Sequence, residues 1–441
     1  MAGGLLTDLY ELNMAASYLR LGMTGPATFS LFARKLPADR GFLIAAGLED
    51  CLAFLETFAF TDADLSWLAD SQGFTSEDVA AFRKLRFSGD VWAVPEGTAV
   101  FAGEPFLEVT AAAPEAQLVE TALLNHVTFQ TSVTTKAARC MLAAGHAQIV
   151  DFAFRRTQSI EAGLAVARAS AIAGFSATSN TEAARRYGLT AAGTMAHSFV
   201  EAFGTEQAAF TVFAKQFPGR ATFLVDTYDT EQGIRAAIDV ITGLRLRGQV
   251  GVRLDSGDLA MLAFLARRML DEAGLHEARI FASGGLDEYV IAELTGAGAP
   301  IDAYGVGTKM GVSADAPYLD SAYKLVQFGD RPVMKLSEGK ATLPGAKQVH
   351  RSGSGDILAL RGEPPPPGHR ELLRPVMAGG ARTDPPESLA AARERCSASL
   401  AALPASALSL RDARPFPVAI SPALGALRDR LASDLATVPP A

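Results

Sequence analysis

Residues 279–308 read RIFASGGLDEYVIAELTGAGAPIDAYGVGT. An apolar run ends on the glycine pair Gly284–Gly285, helix-forming residues follow, and a second apolar run ends on Gly305-Val-Gly-Thr308. This is one strand–loop–helix–strand–loop unit, and the preceding chain repeats its texture. ATFLVDTYDT (residues 221–230) has its apolar run at 223–225, and QVGVRLDSGD (249–258) has one at 250–254. Between them and the quoted stretch, LAMLAFLARRML places Leu262, Leu265 and Met269 on one helix face. The loops at 226, 255, 283 and 305 are 29, 28 and 22 residues apart, about one βα unit each. The polar residues fall just after the apolar strands, which in a parallel α/β barrel is the active-site face.

The loops carry chemistry suited to anions. Gly284 and Gly285 follow a strand at Ser283, where bare N–H groups can cradle a phosphate, and Gly307–Thr308 repeat the device one strand later. One glycine pair is often just a tight turn, but two consecutive loops of this kind form a recurrent barrel phosphate site. In RLDSGDL (253–259), Arg253 can fork onto a carboxylate or phosphate, while Asp255 and Asp258 suit ribose hydroxyls or hydrated Mg²⁺; an internal Arg–Asp pair is the alternative. DFAFRR (151–156) sets Arg155 and Arg156 at the end of an expected strand, where alternation lets only one point inward. DTYDT at 226–230 lacks an adjacent acidic pair, and no Walker A pattern occurs.

Residues 174–203, GFSATSNTEAARRYGLTAAGTMAHSFVEAF, hold TSN (178–180), a helix-like TEAARRYG with Gly188 as its stop, and GTMAHSF with Thr194 and His197. Such a cluster can hold anions and offer one imidazole as a nucleophile. Taken alone, a lone histidine of this kind is more often a buried, satisfied one that follows a capped helix.

The flanking sequence differs. Residues 5–22 predict a helix with Leu9, Leu12, Ala16 and Leu19 inward and Tyr10 and Glu11 off that stripe. ATFSLFARKL alternates as a strand, and residues 90–110 suggest a small antiparallel sheet. ETALLNHVTFQTSVTTKAARCMLAAG is one long helical pattern. Beyond about residue 325 come short strands, a Pro-rich loop, GEPPPPG (362–368), and helices in SLAAARERCSASLAAL and PALGALRDRLASDL. No internal repeat is evident. These shifts divide the chain into an N-terminal α+β domain (1–118), a barrel (119–325) and C-terminal segments (326–441). At 441 residues, with 49% apolar content, it can build such cores. A net charge of −8 without a long basic run argues against nucleic acid or anionic membrane as partners. Three unevenly spaced cysteines fit neither a disulfide framework nor a zinc site, and no stretch reads as a signal or a membrane span, so a cytoplasmic protein is expected.

Taken in order, TDLYELNMA, FARKLP, ETALLNHVTFQTSVTTKAAR, DFAFRRTQ, GFSATSN, GTMAHSFV, LVDTYDT, GVRLDSGDL, SGGLDE, GVGTK and YKLV resemble nicotinate phosphoribosyltransferase over residues 5–351. Ala153 and Phe154 depart from the usual DFGLRR, and Ser159 stands where glycine is common. The resemblance implies an irregular α/β barrel of the type II phosphoribosyltransferase kind, beside an N-terminal α+β domain and with C-terminal segments packing back, as a homodimer. It implies condensation of nicotinate with phosphoribosyl pyrophosphate, coupled to hydrolysis of ATP as co-substrate, with Mg²⁺ present. By resemblance, Arg253 and Thr194 grip the pyridine carboxylate, Tyr10 stacks on the ring across the dimer, and His197 is the residue ATP phosphorylates. Asp255 faces ribose or Mg²⁺, and Ser283, Gly284, Gly285, Gly307 and Thr308 hold the phosphoribosyl group. Arg156 and Asn180 are further candidates for the nicotinate pocket. The close rivals are nicotinamide phosphoribosyltransferase and a catalytically silent sensor of phosphoribosyl metabolites; quinolinate phosphoribosyltransferase is a much shorter chain.

Overall fold

A computed structural model describes residues 3–248, 250–337 and 342–436. The chain forms two compact units, one of residues 133–317 and one joining the residues up to Ser132 with those from Tyr318 onward. The sequence placed the divisions at 118/119 and 325/326. The structure puts the start of the long helix Glu120–Ala144 with the N-terminal residues and gives the C-terminal segments no unit of their own.

In residues 133–317 six strands build the sheet: β1 (Gln148–Asp151), β2 (Ala177–Thr178), β3 (Thr222–Leu224), β4 (Gly251–Leu254), β5 (Arg279–Ser283) and β6 (Ala303–Val306). They pair in the order β2-β1-β6-β5-β4-β3, all parallel. Among the described residues no pairing joins β2 to β3, so this is an irregular α/β barrel that backbone hydrogen bonds do not close. Its strands are largely buried and read as mostly apolar runs; Phe223, Val252 and Ile280 are fully buried.

The following helices start on side-chain caps that satisfy orphan N–H groups. Asp229 caps Thr230–Gly243, Asp258 caps Leu259–Glu272 and Asp287 caps Glu288–Gly296. Asp258, a candidate for ribose or Mg²⁺ from sequence, is thus a helix cap, its carboxylate accepting from Met261 N at 3.0 Å. In Leu259–Glu272 the buried face is Ala263, Ala266, Met269 and Leu270; the expected Leu262 and Leu265 flank it, because small residues set the closest approach.

The strand expected over 148–156 ends at Asp151. Asp151 accepts from Ala153 N at 2.8 Å, and Phe154–Arg156 form a single 3-10 turn. Strand alternation therefore does not decide between Arg155 and Arg156, and both are exposed.

The other unit holds a seven-stranded sheet, wholly antiparallel, running from Arg331–Pro332 through Ser321–Phe328, Pro26–Ala33, Pro105–Ala112, Asp90–Ala93 and Arg374–Ala378 to Ala381–Arg382. Phe29 stacks on Tyr323 in its core at 4.8 Å between centroids. A four-stranded sheet includes Lys347–Arg351, Asp356–Leu360 and Arg370–Glu371, and residues 362–368 lie in the loop between the last two. The first helix, Leu9–Arg20, is rotated from its expected face: Glu11, Leu12, Ala15 and Ala16 are buried while Leu9 is exposed. A carboxylate wins an inward position over a leucine because hydrogen bonds from Thr7 and Thr121 satisfy it.

Candidate active site

The geometry builds outward from Arg253, the third residue of β4, whose side chain is 11% exposed. Its Nε donates to Ser283 Oγ (2.8 Å), Nη1 to Thr194 Oγ1 (3.1 Å) and the Met195 carbonyl (3.4 Å), and Nη2 to Asp255 Oδ1 (2.6 Å). Four of its five N–H donors are engaged, so the fork is fixed in plane, and its cationic centre lies 5.3 Å from the centroid of the Phe152 ring. Phe152 in turn lies 5.6 Å from Phe281. A Cβ on Gly305 would sit 2.7 Å from Phe152 and 2.8 Å from Phe281, so glycine there lets the two rings meet.

Asp255 begins the loop after β4. Burial alone would raise its pKa, but the Ser283 hydroxyl and the Arg253 guanidinium overcome this and hold the carboxyl below the usual range. Its backbone N–H donates to Asp226 Oδ2 at 2.9 Å, and Ser256 Oγ reaches the same oxygen at 2.6 Å. The other oxygen of Asp226 is buried without a hydrogen-bond partner.

His197 opens the helix His197–Phe203 with its side chain 40% exposed. Nδ1 lies 3.2 Å from Thr227 Oγ1 and Nε2 lies 3.9 Å from Asp255 Oδ2. It is neither buried nor fully satisfied, which removes the alternative of a core histidine. Glu206 is buried, and burial pushes its carboxyl up, offset in part by the nearby backbone of Thr227 and Tyr228.

The glycine loops follow β5 and β6, whose pairing matches Ser283 with Gly305. Gly284 and Gly285 both take the left-handed conformation, with φ of 96° and 65°. At Gly284 a Cβ would lie 2.0 Å from the Asp255 carbonyl oxygen, so only glycine allows this loop to pack on the previous one. Gly307 and Thr308 open the short helix Thr308–Gly311.

Residues 5–128, 147–327 and 365–428 match the nicotinate phosphoribosyltransferase N-terminal domain, family and C-terminal domain respectively. The chain is 45% identical over 98% of its length to nicotinate phosphoribosyltransferase pncB2 of Mycobacterium tuberculosis, covering 93% of that protein. The chain belongs to the nicotinate phosphoribosyltransferase family. The nicotinate phosphoribosyltransferase of Bacillus subtilis is 44% identical over 81% of this chain and 76% of its own. The crystal structure of human nicotinic acid phosphoribosyltransferase superposes with a TM-score of 0.86 at 30% identity, covering 96% of this chain and 99% of that one.

Not every residue carried over from the nicotinate phosphoribosyltransferase motifs joins the cluster. Thr194, Arg253, Asp255 and Ser283 meet through the bonds above, and His197 stands 3.9 Å from Asp255. Asn180 does not: it is fully buried, its oxygen caps Thr181–Tyr187 by accepting from Ala183 N (3.0 Å), and its nitrogen donates to the Gly163 carbonyl (3.2 Å). Both ends are spent on the scaffold, so Asn180 is a structural cap and not a pocket residue. Asn180→Ala should cost about 1 kcal/mol or more of stability, read as a lowered urea midpoint, and leave KM for nicotinate unchanged. A raised KM with an unaltered midpoint would return it to the pocket. Arg156 is exposed and makes no ion pair among the described residues. Tyr10 lies in the other unit, 48% exposed; partial burial and then Glu120 and Glu11 push its phenol up.

Sequence reasoning missed Asp226, Thr227, Phe152 and Asp151. The first two lie in DTYDT, whose loop the sequence places on the active-site face without assigning a role to either residue. Its place at the end of a strand, like that of Asp255, was the available signal. Asp151 is buried at the end of β1 and accepts the Thr178 hydroxyl at 2.7 Å; burial pushes its carboxyl up against that bond.

Proposed function

We propose that this chain condenses nicotinate with 5-phosphoribosyl 1-pyrophosphate to nicotinate mononucleotide and pyrophosphate, the first step of NAD synthesis from nicotinate. The observation that carries the reading is the Arg253 fork, held by Thr194, Ser283 and Asp255 in one plane at the strand ends. A carboxylate can accept the one Arg253 N–H that these bonds leave over, and Thr194 can share it. Transfer passes through an oxocarbenium-like ribose, so the protein's work is to hold the diphosphate and aim the ring nitrogen. Gly284, Gly285, Gly307 and Thr308 hold the 5′-phosphate, and Asp255, kept ionised, faces the developing positive charge on ribose. Tyr10 stacks on the pyridine ring from a second copy of the chain, in a homodimer.

The residues fit Mg²⁺. Among the described residues no three acidic, His or Cys side chains form a cage, but Mg²⁺ usually takes one or two carboxylates together with substrate phosphates. Asp255 suits this role, and the unpartnered oxygen of Asp226 is a second hard donor nearby. When bound, Mg²⁺ neutralises the leaving pyrophosphate. ATP is the co-substrate, with His197 as phosphoryl acceptor. Among the described residues no helix is long and apolar enough to cross a membrane. The three cysteines are free and buried, which supports a cytoplasmic setting.

Steady-state synthesis with nicotinate and with nicotinamide tests the proposal. An amide cannot form the charge-assisted pair with Arg253, so kcat/KM should favour nicotinate by at least ~2 kcal/mol, roughly thirtyfold. Equal values would overturn the carboxylate reading of the fork.

A further inference from the structure

The two glycine loops that the proposed function assigns to the 5′-phosphate are joined directly by an ion pair outside the glycines. Asp287 closes the loop after β5, and its Oδ1 accepts from Tyr289 N (3.1 Å) and Val290 N (3.0 Å) as the cap of Glu288–Gly296. Its other oxygen, Oδ2, accepts from Lys309 Nζ at 2.8 Å, and Lys309 directly follows Thr308 in the loop after β6. One carboxylate thus anchors its own loop with one oxygen and reaches the neighbouring loop with the other. The Asp287 side chain is 11% exposed and that of Lys309 is 44%.

The surroundings fix the carboxylate end. Glu288, next in sequence and fully buried, is gripped by Lys136 Nζ (2.6 Å) and Arg139 Nε (3.0 Å) from the long helix Glu120–Ala144. Lys136 also pairs with Asp315 at 2.8 Å, which lies downstream of the second loop. Both loops are therefore pinned from behind to the same helix, and the Asp287–Lys309 pair joins them at the front. A half-exposed ion pair adds little to overall stability, so holding the fold together does not account for it. What it does is join the loop after β5 to the segment after β6.

We infer that Asp287 and Lys309 are a positioning pair that spaces the two phosphate loops, and so governs capture of the phosphoribosyl substrate without touching nicotinate. The inference rests on the assignment of those loops to the phosphate. Lys309→Met and Asp287→Asn each remove the ion pair, and the asparagine keeps a cap oxygen. Each should raise KM for phosphoribosyl pyrophosphate about tenfold, the scale of a small misplacement of a binding group, with kcat and KM for nicotinate unchanged. The double variant should be no worse than either single one, and Lys309→Arg should restore the wild-type value. Thermal unfolding midpoints should stay together across the set.

If Lys309 binds the phosphate itself, Asp287→Asn frees it and lowers KM for the phosphoribosyl substrate; that result would overturn the positioning role. So would unchanged values in Lys309→Met, or a rise in both KM values accompanied by lower unfolding midpoints. Thr308→Glu separates this from failure of the loop assignment, because a carboxylate in the loop repels phosphate directly. Weakened capture in Thr308→Glu with unchanged Lys309→Met leaves the phosphate site and refutes the pair. No effect of Thr308→Glu refutes the assignment of the loops, and the inference falls with it.

Discussion

Arg253→Lys should lower kcat/KM for nicotinate by a factor of about one hundred or more, near 3 kcal/mol, the scale for truncating one partner of a buried, charged hydrogen-bond set. The guanidinium addresses Ser283, Thr194 and Asp255 at once, from a fixed plane. A lysine ammonium is a point donor on a flexible stem and cannot span three partners lying in different directions. The charge is retained, so a plain electrostatic role for residue 253 predicts only a small loss. The preference for nicotinate over nicotinamide should shrink with the activity, since the two substrates differ where the fork would meet the carboxylate. Parallel kinetics with both substrates, together with an unfolding curve, check this. Activity within threefold of wild type, or a loss matched by unfolding at the assay temperature, would remove Arg253 from its central role.

The second large effect concerns ATP. His197→Asn should abolish ATP-stimulated synthesis and phosphoenzyme formation, and leave slow ATP-independent synthesis in place. The imidazole is reachable, 40% exposed at the start of its helix, and stands between Thr227 and Asp255. A neutral ring is a competent nucleophile near pH 7, and its phosphorylation adds about −1.5 to −2 charge beside Asp255. On the proposed reading, that charge would alter how the bound diphosphate is held, so that one ATP would improve the transfer without giving its phosphate to the product. Asparagine fills similar space and can still bond Thr227, but forms no phosphoramidate. The measurements are synthesis with and without ATP, and acid-labile, base-stable ³²P incorporation from γ-labelled ATP. Undiminished labelling of the variant would place the phosphorylated group elsewhere.

The order of elements and the face that carries the site were legible in the residues alone. Buried parallel strands are mostly apolar, and polar loops follow their C-terminal ends, so the runs before Asp226, Asp255, Ser283 and Gly305 mark the strands and the face of the candidate site. The long helix Glu120–Ala144 and the stop at Gly188 were equally plain, because helical periodicity and a glycine in the left-handed conformation are local properties. Motif order carried the family. What a side chain is bonded to is not local. Asn180 and Asp258 have the chemistry of ligands and serve as caps, because orphan N–H groups stand within reach of each. Glu11 sits in the core where periodicity put leucine, since Thr121, more than a hundred residues on, supplies the bond that makes burial affordable. Asp226 reads as an ordinary loop acid until β3 and β4 lie side by side and the Asp255 N–H points at it. Partners brought together from distant loops decide whether a polar residue is scaffold or site, and only the folded chain brings them together.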